Sequence, residues 1–365
     1  MIRHLVAVGF GALVWTLTLS PSARGDGPNG TGRRGTEPVS VEVFYATNRA
    51  RAVNGLLADD YGGARGVPQF GRCRVDFTPI PGMNRVTDKL SFYLPNETND
   101  VGAVIQDDPE HFWSQIESAV DKSASQSLVV FVHGYNYGFA RTCRMAAEFR
   151  RDLGDGAALV MLSWPANGLP TDYVQDLADV EWSVPFIADF LEQTEARIGG
   201  GRVQLVAHSL GARGATLALQ RLRADRGDAP VIGRLVLLAP DLDAQTFVEL
   251  LPRITSAPAA VDAPITLYAS DKDTPLMLSR QLSGYPRLGE GGELLTVVDG
   301  MESIDVSEVG RYQIFGHEYF FYHPLVAADL VELITTGRSA ARRAGLQATE
   351  QAGRTFWRIR PRETR

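Results

Sequence analysis

The chain has 365 residues, 44% of them hydrophobic and 22% charged, with a formal net charge of -7. That is enough chain for one large α/β domain, or two modest ones, with a well-buried core, and the composition is that of a soluble globular protein. The acidic balance excludes nucleic-acid binding through overall charge.

At the N-terminus, Arg3 and His4 precede an apolar run from Leu5 to Leu19, and the small residues Ser20, Ser22 and Ala23 follow. This is the three-part layout of a secretory signal peptide, assigned to residues 1–23. The run is shorter than the roughly 20 residues a membrane-spanning helix needs. Cleavage and export, to the periplasm or beyond, is therefore expected, with an uncleaved anchor as the alternative. Residues 24–40 are rich in Gly, Pro and Arg and read as a flexible leader. An ordered domain is expected over 41–337, opening with the strand "VEVFYATNR" from Val41. A loop-rich stretch from Ala52 to Pro81 follows, then a strand from Val86 to Leu94. Glu110 to Lys122 carries apolar residues at helical spacing.

Beyond Ser127 the pattern becomes regular. Short, nearly all-apolar strands are expected at Ser127 to Gly134, Ala157 to Pro165, from Val203, at Arg234 to Asp241, Pro264 to Ser270 and Glu293 to Asp299. Helices are expected at Ala140 to Leu153, Tyr173 to Ile198, from Leu210, and at Pro324 to Thr336. Buried strands alternating with amphipathic helices argue for a mostly parallel central sheet with helices on both faces. After Gly337 the chain carries eight arginines against Glu350 and Glu363. Residues 338–365 read as a basic, poorly ordered tail, offering at most a weak contact to an anionic membrane surface. Cys73 and Cys143 read as two buried thiols, with a bridge between them left open. No Cys/His cluster has metal-ligand spacing, so no metal site is expected.

In an open α/β sheet, ligands gather at the carboxyl ends of the strands. After Val206 comes "AHSLG", Ala207 to Gly211. A nucleophile elbow needs a strained serine between a strand and a helix, with small neighbours so that the two can approach. Gly211 meets this demand. Ala207 stands where G-x-S-x-G has its first glycine. The plainer reading of Ser209 is an N-cap. The stretch "FVHGYNYGF" leaves an earlier strand, and its turn could aim the Tyr135 amide at the same point as the Leu210 amide, giving an oxyanion hole. His133 reads as structural. In this type of site the acid and the base follow the serine in the chain. "YASDKD" offers Asp273, preferred for its offset from the strand, and Asp271. "APDLD" offers Asp241 and Asp243, which read more simply as helix caps. "GHEYFFYHP" offers His317, on a loop, and His323, beside the helix start. His111 lies too early, and His208 would point away from Ser209.

Together the motifs "VFYATNR", "FVHGYN", "LSWP", "VAHSLG", "APDLD", "LYASDKD" and "IDVSEVG…GHEYF" resemble the α/β-hydrolase superfamily. More narrowly, they resemble a bacterial esterase/lipase-like family called domain of unknown function 900. They run in order from about Val41 to Thr336. The resemblance implies a three-layer α/β-hydrolase fold, with Ser209 as nucleophile, Asp273 as acid and His317 as base. Ala207 departs from the wider superfamily but is normal in this subgroup. The expected protein is an exported serine hydrolase that cleaves a small-molecule or lipid-like acyl ester through an acyl-enzyme, with no cofactor. The alternatives are amide or thioester hydrolysis, or a catalytically silent hydrolase-like binding protein of the cell envelope. A dinucleotide-binding protein is disfavoured, because no G-x-G-x-x-G follows any core strand.

Overall fold

The computed structural model of the chain describes residues 38–52, 60–80, 97–226, 231–255, 265–310 and 316–360. The signal-peptide segment, all but the end of the leader, and the strand expected over Val86 to Leu94 lie outside the described residues. Among the described residues, no helix is long and apolar enough to cross a membrane.

In chain order the strands are β1 (Val39–Arg51), β2 (Tyr61–Pro79), β3 (Glu97–Asp107), β4 (Leu128–Val132), β5 (Ala158–Ser163), β6 (Val203–His208), β7 (Arg234–Leu238), β8 (Ile265–Ala269), β9 (Met301–Asp305), β10 (Leu346–Gln351) and β11 (Arg354–Ile359). The helices are α1 (Pro109–Lys122), α2 (Phe139–Leu153), α3 (Tyr173–Trp182), α4 (Val184–Ile198), α5 (Leu210–Arg226), α6 (Ala244–Thr255), α7 (Thr274–Ser283), α8 (Tyr319–Tyr322) and α9 (Pro324–Thr336). One 11-stranded sheet results, in the order β10-β11-β9-β8-β7-β6-β4-β5-β1-β2-β3. Its interior, from β9 through β1, is parallel throughout. Antiparallel pairing is confined to the margins, where β1, β2 and β3 pair in turn and β10 pairs with β11.

The parallel strands are short apolar runs because both of their faces are covered. Within β4, Leu128, Val130 and Val132 join one core with Phe112 of α1, Phe190 of α4 and Leu219 of α5. Val129 and Phe131 face the other core, with Phe149 of α2 and Leu333 of α9. The chain lays β5 on one side of β4 and β6 on the other. Strand β4 is thus a topological switch point, with its crevice at the carboxyl ends. Residue Val132 pairs with Ala207, so the turns that leave β4 and β6 lie side by side.

Several expectations are corrected. The stretch from Ala52 to Pro81 is largely strand, not loop. Its Gly-rich first half hides the signal, while Gly71, Cys73, Val75 and Phe77 alternate into the core and pair with β1. The helix expected over Tyr173 to Ile198 is two helices broken at Ser183. Pro185 begins the second, where its missing N–H leaves no bond unmade. Glu293 to Asp299 is not a strand. A short 3₁₀ turn, Gly292–Leu294, opens it, and the strand beside β8 is Met301–Asp305. The tail is not frayed. Residues 346–359 form a hairpin whose second strand pairs with β9 and buries Phe356 and Ile359. Buried Arg343 anchors it, with Nη1 2.5 Å from an Asp329 oxygen that also accepts from the Tyr268 hydroxyl. Arg354, Arg358 and Arg360 pair with Asp299, Asp305 and Glu308, carboxylates of the domain itself. Both cysteines are buried free thiols.

Candidate active site

Ser209 stands alone between β6 and α5, at φ +52°. An ordinary N-cap residue has extended backbone, so the left-handed φ sets Ser209 apart from one. A non-glycine residue held there costs about 1–3 kcal/mol and persists only where its surroundings fix it. Here the Ser209 amide donates to the Leu238 carbonyl (3.1 Å), and its own carbonyl accepts from the amides of Asp241 and Ala212 (both 3.1 Å). Gly211 makes the elbow possible. A Cβ at that position would lie 2.2 Å from the His133 carbonyl oxygen and 2.8 Å from that of Val132. Ala207, the variant position, is buried inside β6.

The turn after β4 lies directly against this elbow. A Cβ on Gly134 would stand 2.7 Å from the Ser209 Cβ. His133 is buried and stacks on Trp164, with ring centroids 4.9 Å apart. Its Nδ1 lies 2.8 Å from the Gly134 carbonyl, and its Nε2 lies 3.2 Å from the Trp164 carbonyl and 3.4 Å from the Arg49 guanidinium. Burial, then the Arg49 charge, hold the imidazole well below its usual range, so it stays neutral. Asn136 has a left-handed φ of +62°, and its amide donates to Asp176 Oδ2 (3.0 Å). Asp176 also accepts from the Asn167 amide (2.9 Å), locking this turn to the loop after β5. The amides of Tyr135 and Leu210 meet no acceptor among the described residues.

Asp273 follows β8 as the N-cap of α7, accepting from the Leu276 amide (3.1 Å). Both of its oxygens face His317 Nδ1, at 2.7 and 2.9 Å. Nδ1 is therefore the donor, and Nε2 is left basic. Burial pushes the Asp273 carboxyl up, and the contact with His317 opposes that push. Burial lowers His317, but the charge and hydrogen bond of Asp273, with the nearby charges of Glu318 and Asp241, together outweigh it and raise the imidazole above its usual value. The buried ring of His208 packs 4.7 Å from the ring of His317, so the base lies over the end of the strand that carries Ser209.

The remaining candidates are engaged elsewhere. Asp241 is buried under Arg287 Nε (2.7 Å), the Ser279 hydroxyl (2.7 Å) and the Tyr173 hydroxyl (2.8 Å). Asp243 caps α6 through the Thr246 amide (2.7 Å). Asp271 is exposed and pairs with Lys272. His323 caps α9 through the Leu325 amide (3.3 Å), and burial lowers it to about 4. His111 lies on exposed α1 surface.

Sequence reasoning gave Arg49 no role. It is wholly buried, and donates to the Ser163 hydroxyl (2.8 Å) and to the carbonyls of Gly62 (3.1 Å), Ala166 (2.7 Å) and Tyr137 (2.6 Å). Burial pulls it down to about 9, so it remains charged at neutral pH. The available signal was an arginine closing the otherwise apolar run "VFYATN". Asp176, unremarkable within helix α3, gave no signal at all.

Residues 108–336, well over half of the chain, match the model of the family described as alpha/beta hydrolase of unknown function (DUF900). The chain belongs to this family. This DUF900 hydrolase is also 24% identical, over 246 residues, to the uncharacterized protein alr1448 of Nostoc sp. (strain PCC 7120). That match takes in 55% of this chain and spans 62% of the relative's length. Among solved structures, it is similar to an esterase of Pyrobaculum calidifontis at 13% identity and a TM-score of 0.33, over 58% of this chain and 77% of that one. The carboxylesterase EstE1, cloned from a metagenomic library, is similar at 12% identity and a TM-score of 0.33, over 82% and 87% of the two chains. Likenesses this distant say nothing about the reaction of this DUF900 hydrolase.

Proposed function

We propose that this DUF900 hydrolase is a serine hydrolase that cleaves carboxylic esters through an acyl-enzyme on Ser209. The observations that carry the reading are the fixed, left-handed Ser209 at a strand-to-helix elbow and the His317–Asp273 pair, whose imidazole packs on His208, the residue before Ser209. His317 Nε2 takes the Ser209 proton as the hydroxyl attacks the acyl carbonyl. Asp273 holds the imidazole in the required tautomer and stabilises the imidazolium. The amides of Leu210 and Tyr135 hold the tetrahedral oxyanion. Each such donor is worth on the order of a hundredfold in rate. His317 then returns the proton to the leaving alcohol and activates a water that hydrolyses the ester on Ser209. This sequence needs no metal or cofactor. Exposed Leu169, Val174, Met277, Leu278 and Leu282, on the loop after β5 and on helices α3 and α7, favour an apolar, lipid-like acyl group. Export rests on the N-terminal segment alone.

A fluorophosphonate probe should label the purified protein at Ser209, and Ser209→Ala should abolish labelling. Asp273→Asn and His317→Gln should each cut turnover of p-nitrophenyl esters by orders of magnitude. Labelling that survives Ser209→Ala would overturn the assignment. Equal turnover across a series of acyl chain lengths would remove the lipid-like preference.

A further inference from the structure

The turn carrying Tyr135 and the loop carrying His317 are far apart in the chain, yet one cluster of side chains joins them. Arg141, in the first turn of α2, donates from Nη1 to the Asn136 carbonyl (3.3 Å) and from Nη2 to Glu318 Oε1 (2.6 Å), a residue 177 positions away. The Tyr137 hydroxyl donates to the same Glu318 oxygen. The Arg141 guanidinium carbon lies 4.2 Å from the centre of the Tyr137 ring, so the ring face supports the cation as well. Asn136 and Tyr137 directly follow Tyr135, and Glu318 directly follows His317.

We propose that Arg141 and Glu318 are a positioning pair, clamping the loop that carries the base to the turn that carries the oxyanion donor. The inference rests on the serine-hydrolase reading above. His317 is held through Nδ1 from the α7 side by Asp273, and Glu318 fixes the same loop from the β4 side. Two elements that must both meet one tetrahedral intermediate are thereby kept at a constant separation. The plainer view is that this is an ordinary surface ion pair. Arg141 is 40% exposed, and a pair of that kind contributes little to stability. The two views differ in what a substitution changes. A surface pair gives small effects everywhere, whereas a clamp acts on the chemical step. A misplacement of about 1 Å costs on the order of a hundredfold in rate.

The test uses full-length protein carrying Arg141→Met, Glu318→Gln or both, assayed by p-nitrophenyl ester turnover and thermal melting. The clamp predicts that each single variant lowers kcat about 10- to 100-fold, with KM nearly unchanged and melting close to wild type. The double variant should fall no further than the worse single, because the two residues act as one unit. Arg141→Lys keeps the charge but not the two-pronged reach, and should recover only part of the rate. The proposal is overturned by kcat values near wild type in both singles, by losses that multiply in the double variant, or by loss of rate only where melting also falls. If Glu318→Gln does not fold, the exposed Arg141 variants decide alone. Ser209→Ala separates the two readings. If it keeps turnover, the serine mechanism fails; if it abolishes turnover while Arg141→Met does not slow kcat, only the clamp fails.

Discussion

Replacing Gly134 by alanine adds a single methyl group where the turn after β4 meets the elbow. Gly134 does not occupy the left-handed region, so its backbone accepts alanine and only the side chain is at issue. The new Cβ would sit 2.7 Å from the Ser209 Cβ and 2.8 Å from His208 Nδ1. Carbon contacts need roughly 3.5–4.0 Å, so about 1 Å must be found. Ser209 cannot supply it, because its amide and carbonyl are tied to Leu238, Asp241 and Ala212. Nor can His208, whose ring is enclosed by His317, Phe320 and Tyr137. The turn must therefore lift, carrying the Tyr135 amide away from the elbow. A shift of that size predicts a fall in kcat on the order of a hundredfold. Overpacking should cost about 1–3 kcal/mol of stability, or roughly 2–4 °C in Tm for each kcal/mol in a domain this large. Ester turnover at 25 °C and a thermal melt measure both quantities. A Gly134→Ala protein with wild-type kcat would refute the placement of the oxyanion donor on this turn.

Two further outcomes follow from the same geometry. His317 must be neutral to take the Ser209 proton, and its pKa is raised by Asp273. The kcat/KM profile should thus climb with pH to a half-maximum above the usual histidine value of about 6.5. In Asp273→Asn the residual activity should reach half-maximum at a lower pH, since burial then acts on the imidazole without the largest of the charges that oppose it. A profile that stays in place would remove Asp273 from the pair. Arg49→Met leaves the carbonyls of Gly62, Ala166 and Tyr137 without their donor. Removing a buried charge offsets only part of that loss, so urea denaturation should show about 3–5 kcal/mol of destabilisation. A change below about 1 kcal/mol would mean the guanidinium is not needed to hold the turn.

The parallel centre of the sheet was legible because its cause is local. A strand covered on both faces must be almost wholly apolar, and "LVVFV", "ALVMLS" and "ITLYA" are. The residues leaving those strands followed at once, since Asp273 and His317 need only be placed by offset from a strand or helix end. What stayed hidden depends on partners far along the chain. The glycines of β2 look like loop until β1 supplies the ladder. The arginines of the C-terminal hairpin look like a solvated tail until Asp329, Asp305 and Glu308 are set beside them. The Arg49 guanidinium has no meaning in its own neighbourhood, because its partners other than nearby Gly62 come from the end of β5 and from the loops after β4 and β5.

The hairpin also bears on how the molecule is made. Translation delivers β9 first, and its outer edge stays open until β11 has been synthesised and paired with it. An unpaired edge is a template for the wrong neighbour. The segment that bears His317 lies between those two events, after β9 and before β11. A nascent chain can therefore fold β4 to β8 before the segment that bears His317 is delivered. Loss of the hairpin would bare the outer edge of β9, so the hairpin shields the sheet from a wrong neighbour.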